Sequence, residues 1–308
     1  MTKRQLGRSE LSIEPLVLGT NVIGGTIDEA QSFAVLDAFV AEGFTAIDTA
    51  DGYTGGNSET IIGKWLKARD NRDKVLIFTK VGSNDGTGAR NSSAKWIKQG
   101  IENSLRRLQT DYVDLYQLHF PDGTTPQEET LGAFNELIAA GKVRYIGASN
   151  FDANRLGEAL AISARHGWPR YETLQNEYNL YDRAQFEEAQ DVCVREAVSG
   201  LHYFSLARGF VTGKYRSEAD AAKSPRGPGV VQRYFNDKGF RILKALDAVS
   251  ARTGAGLAEI ALAWLNAQPG TGAPIASATT VEQVAELARG ARLSLGADDL
   301  RELTDAGK

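Results

Sequence analysis

Four residues fall where an alternation of strands and helices would place chemistry: Asp48, Tyr53, Lys80 and His119. Asp48 ends the apolar run 44–48, and Tyr53 follows five residues later. Lys80 ends the run 75–80, and His119 follows the run 113–118. An ionisable residue at the end of an otherwise apolar strand faces a crowded mouth. Burying such a group unpaired is costly, so a mutual network is the expected arrangement. That set suits proton donation by a phenol. A free tyrosine has a pKa of roughly 10, and a neighbouring ammonium lowers it by stabilising the phenolate. Asp48 would keep Lys80 charged and oriented, and a neutral His119 would hydrogen-bond the substrate oxygen. Together these groups stabilise negative charge on a carbonyl oxygen while hydride arrives at its carbon. No side chain supplies hydride, so the chemistry calls for a nicotinamide cofactor. It needs no metal, and no cluster here has metal-ligand spacing. Taken singly, each residue has a plainer reading: Asp48 as a cap or surface ion pair, Lys80 as a snorkelling strand end, Tyr53 as packing, His119 as a satisfied structural histidine.

The elements that must position these groups repeat in order. Strands are expected at 15–19, 44–48, 75–80, 113–118, 143–149, 171–175, 201–206 and 273–277. Helices follow near 58–66, 97–108, 152–165 and 186–198. A capping box of Thr26 and Glu29 opens the first helix, which Gly43 ends. Thr125, Pro126 and Glu128 open another that runs to Gly141, and Thr280 with Gln283 caps the final barrel helix. The stretch 207–236 is a polar loop too long for a plain connection, so it reads as a binding lid or clamp. Helices near 241–249 and 257–266 follow it. Eight nearly even βα units, with no linker or composition break, predict one (β/α)8 TIM barrel over residues 1–308, with its long loop after strand seven. A doubly wound sheet would want a glycine fingerprint after its first strand, and Gly19 leads only to Gly24-Gly25.

Composition agrees. A chain of 308 residues, 42% of them hydrophobic, can bury a large core. Thirty-five Lys and Arg against 39 Asp and Glu give a net charge of -4, which argues against nucleic-acid binding by bulk charge. The single cysteine, Cys193, excludes a disulfide framework and fits a reducing compartment. The charged start and the lack of any long apolar run predict a cytoplasmic protein that neither enters a membrane nor is secreted.

Phe44-Thr45-Ala46-Ile47-Asp48-Thr49-Ala50 with Tyr53, Thr79-Lys80, Leu118-His119, Gly147-Ala148-Ser149-Asn150 and Leu174-Gln175-Asn176-Glu177-Tyr178-Asn179 together resemble the motifs of the aldo-keto reductases. The resemblance covers essentially the whole chain, in the branch with a long loop after strand seven, which includes potassium-channel β-subunits. It implies Tyr53 as general acid with Asp48, Lys80 and His119 as partners. Ser149, Asn150 and Gln175 would hold the nicotinamide carboxamide, and the ring of Tyr203 would stack on the nicotinamide. The run containing Ser205, Leu206, Arg208, Gly213 and Lys214 resembles the family's pyrophosphate-spanning loop, where Gly209 allows backbone approach. Gly213-Lys214 lacks the glycine spacing of a Walker A motif. Arg226 is a candidate for closing the loop over the adenosine.

The adenosine end departs from the family pattern. Ser277 stands where a phosphate-binding lysine often lies, and Gln283 where an arginine lies. Ser277, Thr279 and the free N–H groups of the next helix remain to hold a phosphate, while Glu282 opposes one. NADP(H) is the family default, with NAD(H) or dual use left open. Asn21 and Phe120 are expected on the substrate side, and a polar Asn21 suits small or hydroxylated substrates. The expected partner is thus a small carbonyl or alcohol. Three other readings stay open: an NAD-dependent sugar or polyol dehydrogenase, a cofactor-binding regulatory protein without appreciable turnover, and a barrel hydrolase or lyase using two carboxylates.

Overall fold

The computed structural model describes residues 2–84 and 86–308. A short antiparallel hairpin, β1 (Arg4–Gln5) and β2 (Ser12–Ile13), precedes the main architecture. Eight parallel strands then close on themselves: β3 (Val17–Gly19), β4 (Ala46–Asp48), β5 (Leu76–Val81), β6 (Val113–Leu118), β7 (Val143–Ser149), β8 (Tyr171–Glu177), β9 (Ser199–Tyr203) and β10 (Thr271–Ala276). Each pairs with its sequence neighbour, and β10 returns to β3 through Ile275–Val17 and Ala276–Leu18 register. This is the expected barrel.

Its helices are α1 (Glu29–Ala41), α2 (Asn57–Arg69), α3 (Ala94–Leu108), α4 (Gln127–Ala139), α5 (Ala153–His166), α6 (Ala184–Glu196), α7 (Gly227–Tyr234), α8 (Asp237–Thr253), α9 (Leu257–Asn266), α10 (Val281–Arg292) and α11 (Ala297–Ala306). No described helix is long and apolar enough to cross a membrane.

The period of two along each strand separates two buried layers. Ala46, Phe78, Leu115, Leu201, Ala273 and Ile275 point into the barrel and pack with Leu6, Leu11 and Ile13 of the hairpin segment. Ile47, Tyr116, Leu174 and Ala276 point outward into the larger layer beneath the helices. The hairpin segment therefore supplies apolar side chains that fill one end of the bore. Two residues further along their strands, Asp48, Lys80 and Gln117 share the inward face with Ala46, Phe78 and Leu115.

Several local expectations change. Asp28, not Thr26, caps α1, its carboxylate accepting from the Gln31 N–H. Thr26 lies in the preceding turn, where its N–H donates to the Val22 carbonyl. Thr125 and Glu128 form no capping box on α4. Asp122 instead accepts from Thr124, Thr125 and Ser92, while Glu128 pairs with Arg165 and His166. Four hydrogen-bond donors outweigh burial and hold the Asp122 carboxyl well below the usual carboxylate range. Thr280 does cap α10. The loop after β9 contains two short turns, at Ala207–Thr212 and Glu218–Lys223, and then α7.

Helices α2 and α3 meet at Gly63, where an added Cβ would lie 2.2 Å from the Arg107 carbonyl oxygen and 2.9 Å from the Leu108 Cα. Backbone cannot yield as a flexible side chain does, so Gly63→Ala should cost about 1–3 kcal/mol. Urea denaturation of the purified variant reads that loss directly, and an unchanged midpoint would count against the close approach.

Candidate active site

Asp48 and Lys80 emerge from β4 and β5 side by side, and both side chains are almost wholly shielded (1% and 0% exposed). The ammonium donates to Asp48 Oδ2 at 2.6 Å, to the Thr49 carbonyl at 2.8 Å and to the Tyr53 hydroxyl oxygen at 3.2 Å. Three donors converge on the carboxylate, because the side-chain amides of Gln117 and Gln175 also reach Asp48 Oδ1, at 3.2 and 3.0 Å. A buried ion pair is tolerable only when its remaining lone pairs and protons are satisfied in this way.

Tyr53 opens a tight turn, Tyr53–Gly56, in which Thr54 and Gly55 take left-handed backbone angles. Thr54 fastens the turn, its hydroxyl donating to the Ile23 carbonyl at 3.1 Å and accepting from the Ser58 N–H at 3.1 Å. Gly55 and Gly56 adopt positive φ without penalty, whereas Thr54 is held there by the two bonds of its hydroxyl. The ring of His119 stands edge-on to Tyr53 at 6.0 Å between centroids and stacks on Phe120 at 4.8 Å.

Burial governs the titration of this cluster. It pushes the Tyr53 phenol upward, and the Asp48 charge adds to the rise, so Lys80 only partly offsets it. The expectation that Lys80 lowers the phenol below its ordinary value is therefore corrected: low dielectric wins. Burial alone would lower Lys80, but Asp48 and Tyr53 outweigh it and hold the ammonium above its usual value. His119 lies well below the usual imidazole range, through burial and then the nearby charges of Lys80 and Arg90, so it is neutral at pH 7. Its Nδ1 is buried without a partner.

A cleft of about 630 Å³ opens over these groups. Asp48, Tyr53, His119, Ser149, Asn150, Gln175, Tyr203, Ser205, Leu206, Arg208, Lys214, Ser277 and Gln283 line it, as do Asn21, Phe120 and Arg226. Lys80 lies beneath Tyr53, while Gly213 and Thr279 are not among the lining residues. Gly213 closes the turn after β9, and Thr279 donates through its N–H and hydroxyl to Gln283 Oε1 at 2.7 and 3.0 Å.

Several lining side chains already hold partners. The Ser149 hydroxyl donates to the Gln175 carbonyl at 2.7 Å. The Asn150 amide donates to Ser149 Oγ and to the His119 carbonyl, both at 3.0 Å. Asn150 Oδ1 accepts from Tyr203 at 2.8 Å and from Gln185 at 3.1 Å. Gln175 spends its N–H donors on Asp48 and Gln117, which leaves its Oε1 to accept from a carboxamide. The Tyr203 hydroxyl, pushed up to about 12 by burial, stays protonated and fixes its ring. Ser205 is buried, donating to the His202 and Ile275 carbonyls.

Phe204, Ala207 and Arg208 all have positive φ, an arrangement non-glycine residues adopt at a cost of about 1 kcal/mol or more each. This strained strap carries the Arg208 guanidinium 4.2 Å above the Phe204 ring and 3.8 Å from Glu177. Asn21 turns toward the β10 end, where its Oδ1 accepts from Ser277 at 2.8 Å. Sequence reasoning missed Gln117, Gln185, Glu177 and Glu286. Gln117 was findable, since it shares strand parity with His119. Gln185 was not, because its role depends on where α6 packs.

The arrangement has counterparts. Aldo-keto reductase YhdN of Bacillus subtilis is 33% identical over 93% of this chain and 87% of its own. Protein tas of Escherichia coli is 33% identical over 98% and 96%. A probable voltage-gated potassium channel subunit beta of Oryza sativa is 32% identical over 93% and 90%. The crystal structure of the thermostable aldo-keto reductase Tm1743 with the inhibitor epalrestat superposes with a TM-score of 0.82, at 30% identity and complete coverage of both chains. Residues 15–308 match the aldo/keto reductase family, and the chain belongs to it.

Proposed function

We propose that this oxidoreductase reversibly reduces an aldehyde or ketone to an alcohol, with Tyr53 as the general acid. The observation that carries the reading is Lys80 Nζ, which bonds Asp48 at 2.6 Å and Tyr53 at 3.2 Å from a fully buried position. A dihydronicotinamide, when bound, supplies hydride to the carbonyl carbon. Tyr53 then gives its hydroxyl proton to the carbonyl oxygen, and Lys80 steadies the phenolate left behind. Neutral His119 donates a hydrogen bond to the same oxygen and so orients the substrate. Asp48 keeps Lys80 in place, while Gln117 and Gln175 keep Asp48 in place.

The cleft fits a dinucleotide. Gln175 Oε1 would accept from the carboxamide with Ser149 Oγ beside it, Asn150 would brace that corner through bonds already made within the protein, and Tyr203 would offer its ring face. Ser205, Leu206, Arg208, Gly213 and Lys214 form the strap for the pyrophosphate, and Arg208 Nε is buried without a partner. Ser277, Thr279 and Gln283 lie at the adenosine end. NADP(H) is the favoured cofactor and NAD(H) the competitor. The cations among the lining residues, Arg208, Lys214 and Arg226, all come from the segment after β9, whereas α10 contributes Glu286. With Arg208 and Lys214 given to the pyrophosphate, Arg226 is the lining cation that would be left to meet a 2′-phosphate. The substrate is a small carbonyl compound or alcohol, and the protein works in the cytoplasm as one domain.

Similarity to a channel β-subunit keeps one other reading in play, cofactor binding with no appreciable turnover. Parallel fluorescence titrations with NADH and NADPH, followed by turnover of simple aldehydes, separate the readings. Binding with steady turnover is expected, tighter for NADPH. Binding alone would favour the regulatory role, and no binding would end both.

A further inference from the structure

Asp51 lies two residues before Tyr53 and outside the cofactor cleft. It lines a separate cavity of about 170 Å³ with Trp96, Gln99, Asn103 and Arg107. Two polar atoms of that wall, Asp51 Oδ1 and Trp96 Nε1, are buried without partners. The Asp51 backbone N–H donates to the Lys80 carbonyl at 3.2 Å, so the residue is tied to the strand that carries the ammonium. We propose that Asp51 is a positioning residue for the reduction, a carboxyl behind the tetrad whose charge adds to the groups that govern how readily Tyr53 releases its proton.

The groups around Asp51 come from four elements. Glu59 on α2 faces it, and that carboxylate is engaged by the Thr79 hydroxyl at 2.6 Å and Arg107 Nε at 2.7 Å. Arg107 on α3 is thereby largely matched by Glu59. Lys80 on β5 is matched by Asp48. Tyr116 on β6 stays protonated, its hydroxyl donating to the Ile97 carbonyl at 3.3 Å. The Gly52 N–H favours the charged form of Asp51, as do Arg107 and Lys80. Burial and then Glu59 outweigh them and raise the carboxyl to about 7.

The sign follows directly. Below neutral pH Asp51 is uncharged, and above it a negative charge appears near Tyr53. That charge raises the phenol further, which weakens it as an acid. Reduction should therefore slow as pH rises through neutrality, a range in which neither His119 nor Tyr53 itself titrates.

The inference rests on the reductase reading, and the test keeps the two apart. In the parent protein, kcat/KM for a simple aldehyde measured between about pH 6 and pH 9 should fall through an inflection near pH 7. Asp51→Asn should remove the inflection and keep the faster limb, and Asp51→Ser should do the same if the amide misfolds. Tyrosinate absorbance of the cofactor-free protein, with Tyr53→Phe as blank, should place the Tyr53 titration lower in Asp51→Asn than in the parent. A purely structural role would lower activity evenly across pH and leave both readouts unmoved. A parent profile without the inflection, or variant profiles parallel to it, would overturn the assignment of Asp51 while leaving the reductase reading intact. If Tyr53-dependent turnover is absent, the reductase reading fails, and the absorbance titration still decides the charge coupling.

Discussion

Tyr53→Phe should cut carbonyl reduction by about 10²–10⁴-fold while leaving dinucleotide affinity nearly unchanged. The ring survives the substitution, so packing against His119 persists. Only the hydroxyl goes, and with it the hydrogen bond from Lys80 at 3.2 Å and the proton the alcohol product needs. The loss should fall on kcat and kcat/KM together, since the missing interaction belongs to the transition state. Steady-state kinetics beside a fluorescence titration make the comparison. Full turnover in the variant would remove Tyr53 from the reaction and leave the ammonium without a reacting partner.

Lys80→Met should destabilise the fold strongly. The substitution keeps a long side chain but strips Asp48 of the cation 2.6 Å away, in a place where both groups are shielded from water. Breaking a buried pair by deleting one partner typically costs about 3–5 kcal/mol, because the survivor is left charged and unmatched. Gln117 and Gln175 still donate to Asp48, which sets the expected loss toward the lower end. Adding Asp48→Asn should recover part of the stability without restoring activity, since the buried charge disappears and the tetrad does not return. Chemical denaturation of the parent, Lys80→Met and the double variant reads the series. A single variant as stable as the parent would show that the pair contributes nothing to folding.

Much of this molecule was legible in its sequence because its barrel strands, buried on both faces, read as short continuous apolar runs. Apolar runs of strand length, each followed by a helical face, announced eight repeats, and the last residues of three successive repeats announced the polar mouth. Long amphipathic helices such as α3, with Ile97, Ile101, Leu105 and Leu108 buried, were equally plain. Short elements were not. The hairpin of β1 and β2 has two residues per strand, too few for any alternation to register, and α7 hides in a polar loop rich in glycine and proline. Caps are ambiguous in sequence where two polar residues compete for one helix start, as Asp28 does with Thr26. Side-chain networks between distant strands were out of reach altogether: nothing local to Gln185 points to Asn150. The direction of the Tyr53 titration is hidden from the sequence for a related reason. A neighbouring cation can be guessed from strand order, but the depth of burial that outweighs it depends on the closed barrel.

The hairpin has a consequence for traffic. Because Ala46, Phe78, Leu115, Leu201, Ala273 and Ile275 fill the bore and Leu6, Leu11 and Ile13 of the hairpin segment pack against them, the well above is blind, and everything that enters must leave by the same door. In such a vessel position dictates sequence: whichever molecule settles deepest arrives first and departs last, and the shallower one turns over above it. Kinetic order would then follow from how deep each molecule sits in a well closed from below by packed side chains.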